Sequence, residues 1–116
     1  MKKVFHLSTC STCQRIIKSV DFPDDTIFQD IKTDPISDQQ IEDLRELSGS
    51  YESLFSRRAI KYRSMGLGSK DLKEADYKAL ILEEYTFLKR PVVVIEQAIF
   101  IGNSKKTVEA IKAALS

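Results

Sequence analysis

Two cysteines separated by two residues, Cys10-Ser11-Thr12-Cys13, carry the chemistry most directly read from this chain. A C-x-x-C pair supports thiol–disulfide exchange: one thiolate attacks an oxidised partner, and a second thiol one helical turn away attacks the adduct so formed. The preceding Lys2-Lys3-Val4-Phe5-His6-Leu7 reads as a short strand. From Ser11 onward Ile16, Ile17 and Val20 recur at helical spacing, opposite Gln14, Arg15 and Lys18. Cys10 therefore falls at a strand-to-helix junction, where unpaired backbone N–H groups and the helix dipole favour a thiolate. Cys10 is the expected nucleophile and Cys13, deeper in the helix, the expected resolving thiol. A zinc site takes about four ligands, which the two cysteines and His6 do not supply, so no metal is expected. The competing reading is a pair of inert small residues, since a thiol's reactivity is set by its surroundings.

Three further features bear on the site. Arg90-Pro91 stands immediately before an apolar run; a cis bond there would turn the backbone toward a neighbouring loop, while a plain strand-start proline is the local alternative. Ser56-Arg57-Arg58, with Lys61 and Arg63, concentrates positive charge that suits an oxyanion, because guanidinium forks match pairs of oxygens; a solvated helix face is the alternative. His6, the only histidine, reads as a partly buried strand residue with a local hydrogen bond rather than a reacting group.

The elements that must position these residues follow from periodicity. Asp21 to Asp25, with Pro23 among them, ends the first helix, and Thr26 to Ile31 alternates as a second strand. Ser37 and Gln40 have capping-box spacing ahead of the apolar stripe Ile41, Leu44 and Leu47, and Gly49 stops that helix. Tyr51, Leu54 and Phe55 suggest a short helical segment, Met65 to Ser69 a loop, and Tyr77, Leu80, Ile81, Tyr85 and Leu88 one longer amphipathic helix. Val92-Val93-Val94-Ile95 reads as a buried central strand with Ala98-Ile99-Phe100-Ile101 as its hairpin partner. After Gly102-Asn103, Ser104 caps a last helix that buries Val108, Ile111 and Leu115.

The 116 residues suit one domain, and 42% hydrophobic with 30% charged residues is ordinary globular usage. A net charge of +1 offers no bulk attraction to nucleic acid or an anionic membrane. The apolar run 91–95 is far too short to span a bilayer, and Lys2-Lys3 is not followed by a signal-peptide stretch. A cytoplasmic protein without membrane or direct nucleic-acid contact is expected.

The segment from His6 to Cys13, the helical middle and Lys89-Arg90-Pro91-Val92-Val93-Val94 together resemble the family of glutaredoxin-coupled arsenate reductases and Spx transcriptional regulators, over almost the whole chain. The resemblance implies an α/β thioredoxin-like fold: a mixed four-stranded sheet with a helical insertion between the second and third strands. That places the core at about 1–35 and 88–116, and the insertion at about 36–87, within a single domain 1–116. It implies that Cys10 forms the thiol adduct with arsenate, that Arg90 assists it, and that the Arg90-Pro91 bond is cis. An earlier family arginine falls near Ser56, leaving Arg57 or Arg58 to substitute. A third falls near Gly102-Asn103, where the chain has no arginine but is followed by Lys105 and Lys106. Losing that guanidinium removes a charge-assisted hydrogen bond worth about 1.5–3 kcal/mol. Ser11, Thr12, Arg57, Arg58 and Pro91 are the expected substrate contacts. No bound cofactor is expected; glutathione or another thiol is the implied co-substrate and glutaredoxin a candidate partner. The two-cysteine motif is closer to Spx, which implies the alternative of a redox-sensing regulator that binds the RNA polymerase α subunit.

Overall fold

The computed structural model describes residues 1–116. Its element order is β1 (Lys2–His6), α1 (Ser11–Ser19), β2 (Ile27–Asp30), α2 (Asp38–Ser48), α3 (Ile60–Ser64), α4 (Glu74–Glu83), β3 (Val92–Ile95), β4 (Ala98–Ile101) and α5 (Lys105–Leu115). The β-branched run of β3 is buried along its whole length, as a central strand requires. The sheet runs β2-β1-β3-β4, with β1 parallel to β2 and antiparallel to β3, and with β3 and β4 forming an antiparallel hairpin. The result is a mixed sheet in an α/β fold, and α2, α3 and α4 form a helical insertion between β2 and β3.

Register decides which side chains build the core beneath α1 and α5. Val4 lies opposite Val93, so the two share a sheet face. They pack with Ile16 and Val20 of the first helical segment, Ile95, and Ile111 of α5, while Phe100, Val108 and Leu115 close the edge. Each such side chain, fully buried, contributes about 1.5–3 kcal/mol. This cluster clamps α1 against β1 and so fixes the junction that carries Cys10.

Met1–Asp34 with Arg90–Ser116 form one compact unit, and Pro35–Lys89 another. In the second, the Ser37 hydroxyl accepts from Gln40 N–H at 3.1 Å and the Gln40 carboxamide accepts from Ser37 N–H at 3.0 Å, a complete capping box. At the other end of α2, Gly49 takes φ 95°, a left-handed conformation open to glycine without a Cβ penalty. The unit gathers around Phe55, whose ring lies 4.9 Å from Tyr77, 5.1 Å from Phe87 and 6.0 Å from Tyr62.

That aromatic cluster explains where the middle departs from its periodicity. The expected long helix through Leu88 ends at Glu83; Glu84 is extended, and Tyr85–Phe87 form a separate 3-10 turn. Phe87 and Leu88 leave the helix to meet Phe55: Phe55 bridges Leu88, Ser56 N–H donates to Phe87 O at 2.7 Å, and Lys89 N–H donates to Leu54 O at 2.8 Å. The expected loop at Met65 to Ser69 contains a 3-10 turn at Leu67–Ser69, and α3 precedes it as an additional short helix. No helix is long and apolar enough to cross a membrane.

Candidate active site

At the end of β1 the chain makes a tight turn, closed by Cys10 N–H donating to Leu7 O at 3.0 Å. Cys10 then takes the N-cap position of α1 with extended backbone angles, and its carbonyl accepts the first helical bond from Gln14 N–H at 3.1 Å. Ser8 N–H donates to Asp30 Oδ1 at 3.3 Å, which ties the turn to the end of β2. No acidic residue occupies the first turn of α1, so nothing there opposes a negative charge.

The two thiols meet different surroundings. Both are free; Cys10 is partly exposed and Cys13 is wholly buried. For Cys10, partial burial works against the thiolate. It is outweighed by the Cys13 backbone N–H, the Cys13 thiol and the Arg90 guanidinium, whose hydrogen bonds and charge together hold the pKa below the ordinary thiol value. The neutral Cys10 side chain makes no cap hydrogen bond of its own, so these groups act on the sulfur as it becomes an anion. Burial dominates at Cys13 and pushes its pKa up to about 11; the Leu7 backbone amide pulls against this, and the Cys10 side chain adds to it.

Arg90 precedes Pro91 through a cis peptide bond. Pro91 is buried, and its carbonyl accepts from Gly102 N–H at 3.0 Å, which anchors the start of β3 to the end of β4. Ser11 is exposed and Thr12 partly so, both on the first turn of α1. The fold thus brings Cys10, Cys13 and Arg90 together, with Ser11 and Thr12 on the same helical turn.

Arg57 and Arg58 belong to the Pro35–Lys89 unit. There Arg57 donates to Glu52 Oε2 at 2.6 Å and to the Tyr77 hydroxyl at 3.0 Å, and its guanidinium lies 5.7 Å from the Tyr77 ring centroid. Arg58 is exposed. Lys105 and Lys106 are exposed on the first turn of α5.

His6 is half-buried, and its Nδ1 lies 3.3 Å from Gln14 Nε2. Burial lowers its pKa, with the Asp30 charge opposing. Gln14 is the residue that sequence reasoning overlooked, because it reads as an ordinary member of the helix's polar face. Its signal was its place one turn beyond Cys10.

A β2-β1-β3-β4 sheet with a thiol pair at the β1–α1 junction and a cis-proline ahead of β3 defines a thioredoxin-like α/β protein. The chain belongs to the ArsC family, whose model matches residues 5–111. Among solved structures it is similar to the YFFB protein at 21% identity, covering 100% of both chains with a TM-score of 0.79. It is also similar to a possible arsenate reductase from Streptococcus mutans at 27% identity, covering 96% of this chain and 97% of that one, TM-score 0.74. A third likeness is to an arsenate reductase from Vibrio cholerae at 16% identity, covering 95% and 96%, TM-score 0.75. No curated protein matches the chain at a significant level.

Proposed function

We propose that the protein is a cytoplasmic thiol-dependent oxidoreductase that uses Cys10 as nucleophile and Cys13 or glutathione as resolving thiol. The observation that carries this reading is the asymmetry of the pair: a partly exposed thiol with a lowered pKa beside a buried one pushed up to about 11. Attack needs an accessible thiolate, and resolution needs a thiol that stays protonated until the adduct forms. Family membership agrees with it.

In the proposed cycle the Cys10 thiolate attacks one sulfur of a disulfide, forming a mixed disulfide and expelling the other sulfur as a thiolate. Cys13 or glutathione loses its proton and attacks the Cys10 sulfur, releasing the second substrate thiol and leaving a new disulfide. The substrate gains two electrons and the thiol pair loses them. With arsenate, Cys10 displaces an oxygen as water to form a sulfur–arsenic(V) adduct. Attack on the Cys10 sulfur by the second thiol then yields a disulfide and arsenic(III). Arg90 stabilises the Cys10 thiolate and orients the incoming oxyanion or carboxylate, while Ser11 and Thr12 supply first-turn contacts.

Assays of arsenate and of glutathione mixed-disulfide reduction test the reading. Turnover of one of them that disappears in Cys10→Ser is expected; normal turnover by that variant eliminates Cys10 as nucleophile. The two-cysteine motif favours a second reading, a redox-responsive regulator that captures RNA polymerase α subunit. Redox-dependent capture of purified α subunit supports that reading, and equal failure in both redox states removes it.

A further inference from the structure

Gln14 makes a contact that neither helix propensity nor solvation explains. Its side-chain Nε2 lies 3.0 Å from Leu7 O and 3.3 Å from His6 Nδ1. A carbonyl oxygen only accepts, so the amide nitrogen, not its oxygen, must face Leu7. The second hydrogen of the same nitrogen then points at His6 Nδ1, which must accept it. That assigns His6 the neutral form with its proton on Nε2. The Leu7 carbonyl is the pivot of this arrangement, because it also receives Cys10 N–H at 3.0 Å. Both of its lone pairs are therefore used: one holds the Cys10 backbone and the other holds α1.

We propose that Gln14 is a positioning residue, a latch that joins the first turn of α1 to the end of β1 and thereby holds the Cys10 sulfur over the opening amides of the helix. The inference rests on the reading of Cys10 as nucleophile and deepens it. Without the latch, the Leu7–Cys10 turn keeps one closing hydrogen bond in place of a braced pair. The sulfur then samples positions away from the Cys13 amide, which stabilises the anion only when the two are close. Asp30 braces the same turn from the other side through Ser8 N–H. The turn between them is thus held by β1, β2 and α1.

Gln14→Met tests the latch, since methionine keeps the length and helix propensity while removing both donors. The rate of Cys10 alkylation below its pH midpoint is expected to fall roughly two- to tenfold, the worth of one net hydrogen bond. The midpoint of the pH–rate profile is expected to move up, with little change in thermal stability. Two readouts do not depend on thiol chemistry: faster hydrogen exchange at the Cys10 amide, and loss of the single Nε2–H tautomer of His6 by nitrogen NMR. An unchanged alkylation profile in a variant whose wild type reacts fast overturns the latch and leaves the nucleophile assignment standing. A wild-type Cys10 no faster than a free thiol defeats the nucleophile instead. In that case unchanged amide exchange and an unchanged His6 tautomer in Gln14→Met overturn the latch as well, while altered ones support it as a structural brace.

Discussion

Arg90 and Arg57 carry the same guanidinium and meet opposite neighbours. Arg90 stands before a cis-proline, and its charge helps hold the Cys10 thiol's pKa down. Arg57 is tied to the Glu52 carboxylate at 2.6 Å and lies against the Tyr77 ring, and the Glu52 hydrogen bond raises its own pKa. In one region the cation favours a thiolate; in the other it completes the polar edge of an aromatic cluster. What a guanidinium does is set by the group it faces, a thiol in one case and a carboxylate with an aromatic ring in the other.

The largest effect expected from this contrast lies in the cluster beneath Arg57. Phe55 is fully buried among Tyr62, Tyr77 and Phe87, so Phe55→Ala opens a cavity and costs about 3–5 kcal/mol. Urea denaturation followed by circular dichroism reads this directly. A loss below about 1 kcal/mol would mean that the rings are not the platform on which Tyr77 presents itself to Arg57.

Next comes the thiol pair beside Arg90. The folded pKa of Cys13 stands at about 11, above the ordinary thiol value of roughly 8.5 in an unfolded chain. A raised pKa means that the folded state holds the proton more tightly. The associated stability is fully present below the unfolded pKa and is lost as pH rises through about 11. The loss is on the order of 2–3 kcal/mol. Tyrosines and lysines titrate in the same range, so the measurement is a difference: denaturation midpoints between pH 8 and pH 11 for wild type and Cys13→Ala. A wild type no more alkali-sensitive than the variant contradicts the buried-thiol assignment.

How far this contrast could be read in advance depended on distance along the chain. Cys10 and Cys13, the strand before them and the helix after them are defined by neighbours within a turn or two, and their pattern stood clear. The capping box at Ser37 and Gln40 was legible for the same reason. The pairing of Arg57 with Tyr77 was not, because the two stand twenty residues apart and folding alone brings them into contact. The end of α4 was missed for a related cause: Tyr85 and Leu88 have helical spacing, yet the packing of Phe87 and Leu88 with Phe55 overrides it. Gln14 was hidden by its type, since an amide on a polar helix face calls for no further explanation. The isomer at Arg90-Pro91 is not written in the two residues that form the bond.

Arg90→Ala brings the comparison to the Cys10 sulfur. Removing the guanidinium takes away one hydrogen bond and one charge that favour the Cys10 thiolate, so the pH–rate profile of alkylation is expected to move toward that of an ordinary thiol. Below the midpoint the rate falls about tenfold, the lower end of what a charge-assisted hydrogen bond is worth at a partly exposed site. Arg90→Lys is expected to recover part of this, because a point charge remains while the planar fork is gone. Identical profiles for wild type and Arg90→Ala would show that the guanidinium does not act on the Cys10 sulfur.

The smallest effect is expected at Arg57 itself. The Arg57–Glu52 pair is about half exposed on both sides, with side-chain accessibilities of 47% and 54%, so water screens it and ordering two long side chains offsets part of the attraction. Glu52→Gln is therefore expected to cost at most about 1 kcal/mol by denaturation, and less at high salt. Tyr77 is buried except for its outer edge and donates toward the same Glu52 oxygen at 3.5 Å, so a Glu52→Gln, Tyr77→Phe double-mutant cycle separates the ion pair from the hydroxyl network. A coupling near zero makes the pair a screened surface contact. A coupling above about 1 kcal/mol shows that the three groups act as a unit and that Arg57 is bound more firmly than a single exposed pair allows.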